Sequence, residues 1–188
     1  MTPLQTARLE LIAASAAAVS LELQDVGQFV TTLDVPMPAS WPAPLNDESS
    51  QRWYLDMLRR DPNAIGWGLW YVIRRRPRRE LIGVAGFKGR PADGSCELGY
   101  SVLPGFQRHG YATEASCALI AWAFTHGDVE RVLAETLPNL VNSIRVMEKC
   151  RMRFVGDGNP EDGQRTVRYA VRRGEFHAAG HTIAEVDT

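Results

Sequence analysis

Among the 188 residues, those whose types and spacing could do chemistry gather between Glu97 and Glu114. Gln107-Arg108-His109-Gly110-Tyr111-Ala112 leads into a run where Ala115, Leu119, Trp122 and Ala123 recur at helical spacing, which predicts that this segment forms the amino end of a helix. The first N–H groups of a helix have no partner within it, and Gly110 leaves room for close backbone approach, so the segment suits an anion. Charge-assisted hydrogen bonds contribute ~1.5–3 kcal/mol each. The helix dipole adds only ~0.3–2 kcal/mol. A loop held in one geometry therefore matters more here than its side chains. A single glycine before a helix is, on spacing alone, also ordinary turn chemistry.

The segment must be positioned by a strand. In Cys96 to Val102, Leu98, Tyr100 and Val102 alternate with Glu97, Gly99 and Ser101, so an apolar face backs a polar one until Leu103-Pro104-Gly105 ends the strand. Upstream, Gly66–Ile73 and Leu81–Phe87 read as strands of a hairpin, giving three consecutive antiparallel strands before the helix. Arg8–Ile12 predicts a first strand and Ser15–Leu23 a first helix. A proline-rich loop, Leu33–Asp47, leads to a helix capped by Asn46 or Asp47 and ending near Asp61-Pro62. Gly127 is placed to end the long helix in a left-handed conformation. Beyond it the pattern predicts a strand (Arg131–Thr136), a short helix (Asn142–Cys150) and strands at Phe154–Asp157 and Thr166–Arg172. Residues 1–173 form one domain on this reading, and the weakly apolar 174–188 a poorly ordered tail.

Composition narrows the partners. A net charge of −1 argues against extended nucleic-acid contact, which rests on a basic stripe. Cys96, Cys117 and Cys150 are isolated in sequence, as suits a reducing cytosol, and the four histidines have no metal spacing. Leu11–Leu23 is too short, too weakly hydrophobic and too closely bracketed by Glu10 and Glu22 to read as a secretion signal or membrane span. A cytoplasmic protein without membrane contact is the expectation. The Arg74–Arg79 turn reads as a solvated hairpin tip, although such a cluster can also touch RNA or an acidic substrate.

The segment lacks the glycine pattern of dinucleotide folds and the Gly-Lys-Ser/Thr of nucleotide-hydrolysing loops. It resembles instead the GNAT superfamily of acyl-CoA N-acyltransferases, most closely the RimJ/RimL-type branch. The matching residues are Glu97-Leu98-Gly99-Tyr100, Gln107-Arg108-His109-Gly110-Tyr111-Ala112, Thr113-Glu114-Ala115 and Ser143-Ile144-Arg145-Val146-Met147-Glu148-Lys149, with Thr6-Ala7-Arg8-Leu9 at the start. The resemblance implies an α+β fold: a mixed, mostly antiparallel sheet of about seven strands, splayed at the middle and flanked by helices. It implies acetyl-CoA as co-substrate and no metal. Coenzyme A would be held by Val102, Gln107, Arg108, His109, Gly110, Tyr111, Ala112, Thr113 and Asn142, its diphosphate on the backbone N–H groups of the turn. The branch usually has asparagine where Leu140 stands, here flanked by Asn139 and Asn142, and glycine where Arg151 stands, so the contact carried by that asparagine and the helix ending depart from its pattern.

On this resemblance an amine attacks the thioester carbonyl as the free base. A lysine-like amine is about three pK units short of that at neutral pH, costing ~4 kcal/mol, whereas an α-amino group costs under ~1.5 kcal/mol. Glu97, on the polar strand face, is the candidate base, directly or through water, and a merely solvated or paired carboxylate is its plain alternative. Ser143 is either the helix N-cap or the hydroxyl facing the sulfur. Trp41 and Ser101 are the candidate acceptor-binding residues, with ordinary packing of its proline-rich loop onto the core the plain alternative for Trp41. The acceptor is a small-molecule amine or a protein N-terminus, and a homodimer is compatible with the scaffold. A non-catalytic coenzyme A-binding sensor is the competing reading.

Overall fold

Every residue of Glu80–Phe87 is buried, and so continuous a run belongs to a strand covered on both faces. In the computed structural model, which describes residues 2–44, 46–158 and 165–177, this strand (β4) lies inside an eight-stranded sheet. The others are β1 (Leu4–Gln5), β2 (Leu9–Ala13), β3 (Leu69–Arg74), β5 (Ser95–Val102), β6 (Arg131–Thr136), β7 (Arg153–Asp157) and β8 (Val167–Arg172), in the order 1-2-3-4-5-6-8-7. The α+β architecture expected from the sequence is present, with β1 added to the seven strands. Gly83 lets β4 and β5 close up, since a Cβ there would stand 2.3 Å from the Ser101 carbonyl oxygen.

Among the described strands only β5 and β6 run parallel, and they pair at three positions: Ser95 with Arg131, Cys96 with Val132 and Glu97 with Leu133. Beyond Glu97, β5 continues against β4 alone and β6 against β8 alone. The sheet therefore splays where β5 leads into the turn of residues 103–110.

Period-two alternation divides two cores. Trp70 and Val72 of β3 and Cys96 and Leu98 of β5 pack with Leu119 and Ile120 of α4 (Tyr111–Ala123). Leu69, Tyr71 and Ile73 pack on the other face with Val19 of α1 (Ala16–Gln24), Phe29 of α2 (Val26–Leu33) and Leu55 and Leu58 of α3 (Glu48–Arg60). Helix α2 is new relative to the sequence reading, and it carries Leu33, which was expected to start a loop. Asp47, not Asn46, caps α3, accepting from Ser50 N at 2.8 Å. Strand β3 begins at Leu69 rather than Gly66, whose φ of 94° puts it in a turn.

Two other expectations are corrected and a third is extended. Helix α4 ends at Ala123, and Gly127 is not among the residues of positive φ. The carbonyls of Phe124, His126 and Val129 are taken instead by the Arg173 guanidinium, a long-range cap. Residues 174–177, assigned to the tail, belong to α6 (Arg173–His177) and fully bury Phe176; the remainder of that tail, 178–188, lies outside the described residues. The tip of the arginine turn, Arg75 to Arg78, is exposed as expected, but the turn is also tied into the fold. Arg74 and Arg78 pair with Glu80, Arg79 pairs with Glu10 and donates to the Leu33 and Asp34 carbonyls, and Arg75 donates to Thr6 O. The cluster fastens the β3–β4 hairpin to β2 and to the end of α2.

Candidate active site

After β5 the chain makes a single 3-10 turn at Pro104–Phe106 and then takes left-handed conformations at Arg108 (φ 66°) and Gly110 (φ 81°) before α4 begins. Gly110 is the N-cap of α4 and no side chain caps it. The N–H groups of Tyr111, Ala112 and Thr113, ahead of the first helical bond from Glu114 N to Gly110 O, are thus left for an external acceptor. The Gln107 side chain ties the turn back to the strand, its Nε2 donating to Val102 O at 2.9 Å. Leu103 N bonds Ile82 O, so by antiparallel alternation Val102 directs its own N–H and C=O into the splay. Val102 thereby leaves an N–H on the open side of β5.

Arg8, expected only as the start of the first strand and as part of a matching run, braces this turn from the β1–β2 connection. Its Nε lies 2.6 Å from Glu114 Oε2, its backbone N donates to Glu114 Oε1 at 2.9 Å, and its Nη1 donates to His109 O at 2.9 Å. The guanidinium stands 4.7 Å from the centre of the Tyr111 ring, whose other neighbour is the stacked His109 ring. His109 Nδ1 donates to Gln107 O at 2.7 Å. An open cavity of about 380 Å³ adjoins the turn, lined by Arg8, Gly110, Thr113, Glu114, Cys117 and Lys149.

Ser143 lies in α5 (Val141–Lys149), at its third residue rather than at its N-cap, which is Leu140 and caps nothing. The N-cap alternative for Ser143 is therefore set aside. Tyr100 Oη donates to the Ser143 carbonyl oxygen at 2.9 Å and lies 3.0 Å from Ser143 Oγ. With the single phenol proton on that carbonyl, the serine hydroxyl donates to the phenol oxygen. Burial pushes the Tyr100 phenol up to about 12, so it remains protonated near neutral pH. Tyr100 is the site residue the sequence reading missed; its only signal was the Glu-Leu-Gly-Tyr match. Asn142 is exposed in the same first turn. Arg151 holds the left-handed position after α5 (φ 64°), so the glycine geometry is kept with an arginine in it.

Glu97 is the last β5 residue paired to β6, and its parity places it on the face opposite Cys96, Leu98 and Tyr100, with Ser101. Its Oε1 lies 2.5 Å from Lys88 Nζ, and its side chain is 26% exposed, so the carboxylate is paired yet reachable. Tyr54 of α3, packed on that same face of the sheet, is pushed up to about 12 by burial first and by the Glu97 charge second. Trp41 packs against the α1–α3 core and donates from Nε1 to Glu22 Oε1 at 3.0 Å. The structure thus joins Ser143 to Tyr100 and gathers the turn residues around Arg8, while Glu97 and Trp41 attach to the α3 side. No group of three or more His, Cys, Asp or Glu among the described residues could hold a metal ion, and no helix among them is long and apolar enough to cross a membrane.

A sheet splayed between two parallel neighbours, with a bare helix start at its mouth, is the GNAT acetyltransferase fold. The structure of RimL, a ribosomal L7/L12 α-N-protein acetyltransferase in complex with coenzyme A, superposes over 90% of this chain and 97% of that one (TM-score 0.62, 19% identity). The microcin C7 self-immunity acetyltransferase MccE, in complex with acetyl-CoA and AMP, does so over 89% and 93% (TM-score 0.62, 16% identity). In sequence, residues 14–153 match the family model for an acetyltransferase (GNAT) domain. The N-acetyltransferase YjdG of Bacillus subtilis (strain 168), itself uncharacterized, is 25% identical over 152 residues, 79% of this chain and 88% of that protein. The chain belongs to the GNAT acetyltransferase family.

Proposed function

We propose that this chain is an acetyl-CoA-dependent N-acetyltransferase of the RimJ/RimL type, acting in the cytoplasm on a primary amine of a small molecule or a protein N-terminus. The observation that carries the reading is the uncapped first turn of α4 behind Gly110, at the mouth of the β5–β6 splay. The residues present fit coenzyme A. The N–H groups of Tyr111 to Thr113 hold its diphosphate, Arg108, His109 and Arg8 shape the turn around it, and the Val102 N–H meets the pantetheine arm, with Asn142 at the arm's edge. When bound, acetyl-CoA supplies an activated acetyl thioester. Glu97 accepts the proton of the attacking amine, and the Ser143 hydroxyl, turned from Tyr100, hydrogen-bonds the departing sulfur. Ser101 and Trp41 lie on the α3 side, where the amine enters.

A second reading, a coenzyme A-binding domain without turnover, draws on the Lys88–Glu97 pair, which occupies one oxygen of the proposed base. Lys88 is 59% exposed, so it can swing into solvent when an amine arrives. A thiol-release screen with acetyl-CoA across α-amino peptides, alkyl amines and aminoglycosides separates the two. Release that depends on one amine class supports transfer; acetyl-CoA binding with no release across the panel supports the second reading.

A further inference from the structure

Cys96 is buried beside β6, and its thiol is pushed up to about 12 by burial. Cys117 and Cys150 are differently placed. Their sulfurs lie 3.1 Å apart, although 33 positions separate them in sequence. That spacing is inside the ~3.5–4.0 Å of ordinary nonbonded carbon contact. It is about 1 Å longer than a sulfur–sulfur bond. Cys117 is half-buried on α4 and lines the open cavity at the anion turn, whereas Cys150 is fully buried at the end of α5, its Sγ also 3.6 Å from Thr113 O. One sulfur is reachable from solvent and the other waits directly behind it.

We propose that Cys117 and Cys150 are an oxidisable pair, which hydrogen peroxide converts to an intramolecular disulfide tying α4 to α5. The hydrogen bond shared by the two sulfurs holds the Cys117 thiol below its usual range, against the opposing effect of burial, with Arg151 lowering it further and Glu114 raising it. The reachable sulfur is therefore the readier nucleophile. The Cys117 thiolate attacks one peroxide oxygen and breaks the O–O bond, becoming a sulfenic acid, and the departing hydroxide takes up a proton to leave as water. The Cys150 sulfur then attacks the Cys117 sulfur; the S–OH bond breaks and its oxygen leaves as a second water with the Cys150 proton. Two thiols and one peroxide give one disulfide and two waters. The bond fixes the spacing between the turn at Gly110 and the helix of Ser143 with little movement of either.

The test needs no acetyl transfer, so it stands or falls apart from the enzymatic reading. The reduced native chain is treated with equimolar hydrogen peroxide, denatured and titrated for thiols. Titratable thiols should fall from three to one, the survivor being Cys96, and non-reducing peptide mapping should give the Cys117–Cys150 cross-link, which dithiothreitol reverses. Cys96→Ser should leave the cross-link intact. Cys150→Ser should stop at a Cys117 sulfenic acid captured by dimedone. Three surviving thiols, a cross-linked dimer, a disulfide using Cys96, or a Cys117 sulfinic acid beside an unreacted Cys150 would each overturn the proposal.

Discussion

Glu97 and Ser143 divide the proposed chemistry between the two faces of β5, and each can be tested by removing one atom or group. Glu97→Gln keeps the shape and removes the proton acceptor. It should slow transfer to alkyl amines at least tenfold more than transfer to α-amines, because the former arrive protonated. Equal slowing, compared as kcat/KM, would argue against a base. Tyr100→Phe removes the hydroxyl behind Ser143. A neutral hydrogen bond contributes about 0.5–1.5 kcal/mol, so kcat should fall about two- to tenfold with KM for acetyl-CoA little changed. On a Ser143→Ala background the same change should cost almost nothing further, since the phenol acts through the serine. Additive losses would show Tyr100 acting elsewhere. The sequence pointed to Glu97 and Ser143 through a resemblance, but it carried no sign that Tyr100 reaches across 43 positions to Ser143.

At the scale of elements, local pattern and long-range contact were unequally legible. The apolar run of β4, the alternation of β5 and the helical spacing of α4 each sit within a dozen residues, and each is found where periodicity places it. Arg173 capping the end of α4 and Arg8 bracing its start pair residues some 50 and 100 positions apart, and no local period encodes that. Glu22 is the same kind of feature. Buried between α1, α3 and β3, its carboxylate accepts from Trp41 Nε1, Asn46 Nδ2, Gln51 Nε2 and Tyr71 Oη. Burial raises its pKa above the usual 4.5, and the hydrogen bonds only partly offset that. The folded chain then holds a proton that the unfolded chain has released. The contribution of Glu22 to stability is fully present below about 4.5 and is lost as pH rises through the raised value. Denaturant unfolding from pH 4.5 to 7 should show this decline in the parent and not in Glu22→Gln. Identical pH slopes would place the titration elsewhere.

For the molecule as a whole, the central feature is the division of one sheet into halves that part at Glu97 and Leu133, with the bare start of α4 at the opening. Three paired positions hold the halves together, while the helices and the Arg8–Glu114 brace fix the turn against them. The splay was expected only through the family resemblance, because a strand that stops pairing on one edge has the same composition as one that does not. The central claim is that this opening binds acetyl-CoA through the Gly110 turn. It is tested most directly by the acetyl-CoA-induced shift in melting temperature of the parent and of Gly110→Asp. At about one hundred times the dissociation constant a ligand adds ~2.7 kcal/mol, or roughly 5–10 °C for a chain of this size. An Asp Cβ at position 110 would stand 3.4 Å from Arg8 Nη2, and although the φ of 81° there strains any side chain, aspartate is among the residues that adopt it most readily, so circular dichroism of the variant accompanies the measurement. The account predicts a shift in the parent and none in the folded variant; an equal shift in both would contradict it.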